Sequence, residues 1–226
     1  MQKAGQVNSP VPHCSSQVPL VEMGNRRAPI LQKSVRHGCF RVEECVNYQP
    51  KMFSVPARLV NVPTAWRPNE TILQDIIDRF HLSTYVALEF GVDYGFSTSA
   101  LANYFDDVIG VDHFQGDIHA GKRENLYEQT QTTLADFRNI ELVQMDFREF
   151  IQTNNGWHDL IHVDIQHDYE STYECGVWSA KHADVVLFHD TESFPEVKRA
   201  VEDISKVTRG TFYNFPVSSG LGILVM

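Results

Sequence analysis

The sequence predicts an α/β protein with a mostly parallel, doubly wound central sheet, and three observations support this prediction. From residue 68 onward, short apolar runs alternate with helical stretches. The runs are continuously apolar, which is typical of strands covered on both faces. The last two runs are separated only by a short Ser-Ser-Gly turn, which predicts an antiparallel closing pair. Strand–helix–strand connections of this kind are right-handed.

The predicted elements follow one another with short connections. Pro68 opens the first helix, which has one apolar face, and Pro195 lies near the start of the last helix. The predicted helices span residues 68–81, 97–104, 123–137, 169–181 and 195–206. The predicted strands span residues 84–90, 107–112, 140–146, 158–164, 183–190, 210–216 and 220–226.

Composition and charge restrict the classes of partner. The chain has 226 residues, 42% of them hydrophobic, and a formal net charge of -10. No apolar run approaches the roughly 18 residues of a membrane span, and residues 1–30 lack a signal-peptide core, so we expect a cytoplasmic protein without a membrane partner. Residues 52–226 hold 12 basic and 26 acidic residues. Such a body disfavours nucleic acid, whose binding depends on neutralising phosphates.

Residues 1–50 show no sustained periodicity and are rich in residues that interrupt regular structure. Positions 1–51 are locally basic, with seven basic and three acidic residues. We expect residues 1–67 to form an irregular extension that acts as a substrate lid or a dimerisation device, which makes a homodimer possible.

Each of the first five strands ends in an acidic residue, and ligands of open α/β sheets bind beyond these strand ends. The five acids are Glu89, Asp112, Asp146, Asp164 and Asp190. Helix capping explains some of them, and Asp146 is a candidate N-cap. We expect the others to face a ligand.

The turn after the first strand contains glycines at positions 91 and 95 only. It therefore lacks both the G-x-G-x-x-G dinucleotide fingerprint and the P-loop pattern. An acid in this turn would repel a pyrophosphate and would suit a ligand that carries an ammonium or sulfonium group. Asp112, at the end of the second strand, is placed to accept hydrogen bonds from a ribose diol.

Four motifs in order resemble the class I S-adenosylmethionine-dependent methyltransferases, most closely the cephalosporin-hydroxylase-like and sugar or macrolide O-methyltransferases. They are EFGVDYGFST (89–98), VDHFQGDIHAG (111–121), DLIHVDIQHDYE (159–170) and VLFHDT (186–191). The resemblance covers residues 68–226 and implies one methyltransferase domain there. It also implies a Rossmann-like sheet of seven strands in the order 3-2-1-4-5-7-6 with an antiparallel last strand.

The resemblance implies that S-adenosylmethionine is the cofactor. Glu89 and the turn from Gly91 to Gly95 would hold its methionine part, with Glu89 near the amino group. The remaining positions expected to contact the cofactor are Ser97, Asp112 at the ribose, His113, and Asp146 with Phe147 at the adenine.

The resemblance also implies a divalent metal, with Mg²⁺ the first expectation, held by Asp164 and Asp190. His189 falls where some relatives carry another acid, and a histidine ligand is more typical of Mn²⁺ or Fe²⁺. His167 matches a catalytic base in the macrolide relatives. The alternatives are a structural His189 and a His167 that only caps the following helix.

An alcohol is weakly acidic, so methyl transfer to oxygen needs a base or a metal near the acceptor. The predicted function is therefore a methyltransferase that acts on a hydroxyl of a small molecule or sugar, with His167 and Asp164 as the catalytic residues. The alternative is a non-catalytic or hydroxylase-associated domain that binds the cofactor.

Overall fold

The strands of the chain form one eight-stranded sheet in a computed structural model that describes residues 45–116 and 126–226. In chain order the strands are β1 (Val46–Asn47), β2 (Val86–Phe90), β3 (Asp107–Asp112), β4 (Ile140–Gln144), β5 (His158–Val163), β6 (Ala183–His189), β7 (Thr211–Phe215) and β8 (Leu221–Val225). Their order across the sheet is β1-β7-β8-β6-β5-β2-β3-β4.

The predicted sheet is confirmed, with one addition. The seven predicted strands are β2 to β8, and they lie in the predicted order. The last strand, β8, runs antiparallel to both of its neighbours, whereas the other pairs are parallel. The addition is β1, a two-residue strand that pairs with β7 at the sheet edge. From sequence, residues 36–48 suit either a short strand or a helical turn, and β1 is a strand within this segment.

Two of the described helices begin at an aspartate that caps them. Asp146 accepts from the N–H of Arg148 at 2.8 Å, and Asp168 accepts from the N–H of Ser171 at 2.7 Å. The helices are α1 (Leu73–Phe80), α2 (Phe96–Leu101), α3 (Tyr127–Thr133), α4 (Phe147–Thr153), α5 (Tyr169–Ser179) and α6 (Pro195–Thr208), with a 3-10 turn at Asn69–Ile72. The first residues predicted for the third helix, 123–125, lie outside the described part.

The core has two layers, one on each face of the sheet, because successive strand residues point to opposite faces. On one face Ala87, Leu160 and Leu187 pack against apolar side chains of α1 and α2. On the other face Leu88, Ile161 and their neighbours pack against α4, α5 and α6. Burial on both faces explains why the strands are continuously apolar in sequence.

The segment before the predicted domain start packs against this core wherever it is described. Tyr48 and Trp66 are buried in the layer that holds α1. The Tyr48 hydroxyl donates to Oδ2 of Asp75 on α1 at 2.6 Å. Residues 1–44 of the predicted extension lie outside the described residues, and its separate role stays a prediction. Among the described helices, none is both long and apolar enough to cross a bilayer.

Candidate functional site

A cavity of about 580 Å³ opens at the carboxyl ends of the parallel strands. Its size lies within the range typical of small-molecule and cofactor sites. Most of the residues predicted for the site line it: Gly91, Ser97, Asp112, His113, Asp146, Phe147, Asp164, His167, His189 and Asp190. Glu89 and Gly95 are not among the lining residues. Most of the predicted positions therefore meet at one cavity, and their roles stay predictions.

The turn from Gly91 to Gly95 requires glycine at both ends. Gly91 has a φ of +88°, and a Cβ there would lie 1.7 Å from the carbonyl oxygen of Asp164. The close approach brings the ends of β2 and β5 together at the cavity floor. Gly95 has a φ of +86°, and a Cβ there would lie 2.7 Å from the side chain of Leu134. Both positions use the positive φ that only glycine adopts without strain.

Asp112 organises the backbone at the end of β3. Its Oδ2 accepts from the N–H groups of Val92 and Asp93 at 2.8 and 3.0 Å, and its Oδ1 accepts from the N–H of Phe114 at 2.6 Å. One carboxylate thus connects the glycine turn with the loop after β3. A carboxylate has about four acceptor positions, so capacity for a ligand hydroxyl remains.

The far end of the cavity is lined by Asp146, Phe147 and His113. The Asp146 carboxylate caps α4, as the alternative from sequence proposed, and this residue also lines the cavity. The ring of Phe147 is buried and lies under the guanidinium of Arg148, with 4.5 Å between the guanidinium carbon and the ring centre. The Nδ1 of His113 accepts from the N–H of Gln115 at 2.9 Å, which fixes this half-exposed ring at the cavity edge.

Glu89 differs from the expectation, because its side chain lies under the cavity floor and not in the cavity. It is fully buried, and its Oε1 lies 2.8 Å from Nδ1 of His162. Its Oε2 accepts from the hydroxyl of Thr98 on α2. Glu89 and His162 are paired across β2 and β5, so both point to the same face of the sheet. A direct contact between Glu89 and a ligand amino group is not supported by this arrangement.

Two aspartates and two histidines converge at the ends of β5 and β6. Nε2 of His167 lies 2.8 Å from Oδ2 of Asp190 and 3.7 Å from Oδ1 of Asp164. Nδ1 of His189 lies 3.0 Å from Oδ2 of Asp190 and 3.3 Å from Oδ2 of Asp164. Ligand atoms of Asp164, His167 and Asp190 all lie within 4.8 Å of one another, close enough to share one metal ion.

The charges in this cluster shift the pKa values of its members. Burial lowers the pKa of His167 and of His189, but the two aspartates outweigh burial and raise these pKa values to about 9 and about 10. Burial raises the pKa of Asp164, but the charge of His189 outweighs it and holds this pKa well below its usual range. In the metal-free chain both imidazoles therefore carry a proton at neutral pH, balanced by the two carboxylates.

Sequence reasoning missed part of the cavity wall. Residues 63–66, which come before β2, line the cavity, and so do Gln166 and Arg148. His162 was also missed, although it precedes Asp164 by two residues and must share its face of β5. That alternation was the available signal for His162. Residues 63–66 belong to the extension predicted as a substrate lid or dimerisation device, but no motif distinguished these four positions within it.

Comparison with known proteins connects this region to one family. Residues 88–191 match the family model described as "Methyltransferase domain". An uncharacterized protein of Sinorhizobium fredii, y4gI, is 30% identical over 152 residues, which are 61% of this chain. The match spans only 16% of that protein, so it says nothing about the rest of the relative.

Solved structures of methyltransferases share the fold. The O-methyltransferase TomG of Streptomyces achromogenes, solved with S-adenosylmethionine, has a TM-score of 0.54 at 14% identity, covering 74% of this chain and 82% of TomG. A protein from Staphylococcus aureus described as a "putative caffeoyl-CoA O-methyltransferase" has the same TM-score and identity. That match covers 74% of this chain and 85% of the S. aureus protein. Fibrillarin of Aeropyrum pernix, also solved with S-adenosylmethionine, has a TM-score of 0.52 at 14% identity. That match covers 77% of this chain and 87% of fibrillarin.

Proposed function

We propose that this chain is a class I methyltransferase that transfers a methyl group from S-adenosylmethionine to a hydroxyl of a small molecule or sugar with the help of a divalent metal. Its fold and the match of residues 88–191 support this proposal. One observation carries the proposal. The glycine turn with Asp112 and the cluster of Asp164, His167, His189 and Asp190 line the same cavity. A donor site and an acceptor site can therefore meet there.

The residues at the glycine turn fit the methyl donor. S-adenosylmethionine supplies a methyl group on a cationic sulfonium, together with an amino group and a ribose diol. Gly91 and Gly95 leave room for close approach to the backbone, and Asp112 retains capacity to accept from a ribose hydroxyl. Phe147 offers an aromatic face at the far end. Asp93, in the turn itself, adds negative charge where a pyrophosphate would be repelled.

The cluster at the ends of β5 and β6 fits the acceptor. Asp164 and Asp190 present carboxylate oxygens that would hold a divalent metal, which when bound lowers the pKa of a coordinated hydroxyl and orients it. His167 lines the cavity beside both aspartates. A cation held by these carboxylates would offset the charges that raise the pKa of His167, and the neutral imidazole could then take the hydroxyl proton at Nε2. Holding donor and acceptor in one cavity supplies the proximity that such a displacement needs.

The acceptor class follows from the size and charge of the cavity. About 580 Å³ suits a cofactor with a small acceptor, and the acidic residues 52–226 disfavour a polyanionic acceptor. The neighbours named as O-methyltransferases support oxygen as the atom that is methylated. Residues 63–66 line the cavity, which supports a role of the predicted extension at the acceptor site.

Titration calorimetry with S-adenosylmethionine and its demethylated product S-adenosylhomocysteine tests the cofactor half of the proposal. We expect measurable binding of both compounds to the full chain. Asp112→Ala should weaken binding by at least about tenfold, because three backbone N–H groups of the two loops lose their acceptor. Absence of binding by a folded wild-type protein would refute the proposal.

A further inference from the structure

We infer that the metal in the cluster is a first-row transition ion such as Mn²⁺ and not Mg²⁺, because His189 contributes an imidazole nitrogen beside the carboxylates of Asp164 and Asp190. The inference rests on the metal-assisted function proposed above and concerns which ion the site selects. The family resemblance implies Mg²⁺ first, although His189 among the expected ligands is more typical of Mn²⁺ or Fe²⁺. The structure brings Nδ1 of His189 within 3.3 Å of both carboxylates.

The distances in the cluster match those between ligands of one ion. Two ligands at right angles around an ion, each about 2.1 Å from it, lie about 3.0 Å apart. Nδ1 of His189 lies 3.0 Å from Oδ2 of Asp190 and 3.3 Å from Oδ2 of Asp164. The distances from Nδ1 of His189 to both carboxylates are therefore close to the distance expected between two ligands of one ion.

The contacts of His189 with the two carboxylates suit shared ligation of an ion. Its side chain is only 3% exposed, and Nδ1 forms close ion pairs with Asp164 and Asp190. These contacts do not have the geometry of hydrogen bonds. The Nδ1 of this ring is directed at the two carboxylates at short distance, where an ion bound between them would complete its coordination.

The donor set discriminates between ions. Mg²⁺ takes oxygen ligands almost exclusively and gives up its waters reluctantly. Imidazole suits first-row transition ions, and a site that combines nitrogen with carboxylate oxygen favours Mn²⁺, Fe²⁺ and the later ions of the series.

The backbone holds these ligands in place. Asp190 has a φ of 66°, which is uncommon for a residue other than glycine. Its N–H donates to the carbonyl of Gly220 at 3.0 Å, and its carbonyl accepts from the N–H of Phe194 at 2.9 Å. The Phe194 ring stacks on His167 at 4.2 Å between ring centres. These contacts restrict the positions of the Asp190 backbone and of the His167 ring beside it.

Calorimetric titration of the metal-free full chain with MnCl₂ and with MgCl₂ tests the inference without any acceptor. We expect Mn²⁺ to bind at least about tenfold more tightly than Mg²⁺. His189→Asp replaces the imidazole nitrogen with carboxylate oxygen. The Mn²⁺ affinity divided by the Mg²⁺ affinity should therefore fall by about tenfold or more. Thermal unfolding confirms that each variant is folded.

His113→Asp is the matched control, because it adds the same carboxylate to the same cavity outside the cluster. Its Mn²⁺-to-Mg²⁺ ratio should equal that of the wild type. If the Mn²⁺-to-Mg²⁺ affinity ratio of this control shifted as much as that of His189→Asp, the effect would come from added negative charge in the cavity, and the inference would be overturned. A wild type that binds Mg²⁺ as tightly as Mn²⁺, or binds neither, would also overturn it. A preference that survives His189→Asp but is lost in His167→Asp would refute the assignment to His189.

Titration with S-adenosylhomocysteine separates this inference from the proposed function. Binding of S-adenosylhomocysteine without any metal binding would refute the inference and leave the cofactor half of the proposed function standing. Selective Mn²⁺ binding without S-adenosylhomocysteine binding would support the metal preference while refuting methyl transfer.

Discussion

The indole N–H of Trp66 donates to Nε2 of His162 at 3.1 Å. An indole can only donate, so Nε2 of His162 accepts and the ring proton sits on Nδ1, which faces Glu89 at 2.8 Å. These contacts join Trp66 to Glu89 through a buried histidine, and Thr98 adds a donor from α2. This contact ties residues 63–66 to β5 at His162, two residues before Asp164. Residues two apart along a strand point to the same face of the sheet.

Trp66→Phe should destabilise the chain and loosen the cavity wall. The substitution keeps an aromatic ring but leaves Nε2 of His162 buried without its donor, which costs about 1–3 kcal/mol. Urea unfolding measures this loss, and hydrogen exchange should show faster exchange at residues 63–66. Trp157→Phe is the control, because Trp157 is 58% exposed and its replacement should change stability by less than about 0.5 kcal/mol. Equal effects of both substitutions would contradict the role of the Trp66–His162 contact.

Gly91→Ala should remove cofactor binding as well as stability. The new Cβ would meet the carbonyl oxygen of Asp164 at 1.7 Å, so the ends of β2 and β5 must separate. We expect a loss of about 2–4 kcal/mol in unfolding free energy and no calorimetric binding of S-adenosylhomocysteine. Gly156→Ala is the matched control, since the nearest atom there lies 3.2 Å away in the side chain of Asn154. Retained binding in Gly91→Ala would argue against the glycine turn as the cofactor site.

Asp164→Asn should separate metal binding from cofactor binding. The amide keeps the size of the side chain but removes the charge that an ion needs, so Mn²⁺ affinity should fall by about 10- to 100-fold. Binding of S-adenosylhomocysteine should change by less than about 0.5 kcal/mol. Asp168→Asn is the control, because Asn caps α5 as well as Asp does and neither affinity should change. Equal losses of both affinities would contradict the assignment of Asp164 to the acceptor side.

The metal-free chain should lose stability as the pH rises above neutrality. His167 and His189 have folded-state pKa values of about 9 and about 10, above the roughly 6.5 of an unfolded histidine. Their contribution is therefore complete below pH of about 6.5 and is lost as the pH rises through about 9–10. Urea unfolding between pH 6.5 and pH 10 should show a decline on the order of a few kcal/mol.

His189→Gln is the comparison for this pH dependence, because it removes one of the two titrating rings at similar size. Its stability should decline less over the same pH range. An unchanged decline would show that the cluster does not set the pH dependence.

The local sequence pattern was sufficient to predict the strands and helices and the edge of the sheet at which the cavity lies. Continuous apolar runs identified β2 to β8, and the acids after them marked the cavity, because the carboxyl ends of parallel strands meet at one edge. The sequence left β1 open between a short strand and a helical turn, since two residues carry no period. Asp146 was correctly considered as an N-cap, because capping depends on the next few residues alone.

The sequence by itself determined the order of strands and helices and the residue types at the strand ends. Only the tertiary structure decided which of these residues meet. Glu89 lies beneath the cavity because strand register pairs it with His162, and register depends on long-range packing. Trp66 reaches His162 across 96 positions of sequence, and His189 meets Asp164 only when β5 and β6 lie side by side. Such contacts are fixed by how distant elements pack, which local periodicity does not record.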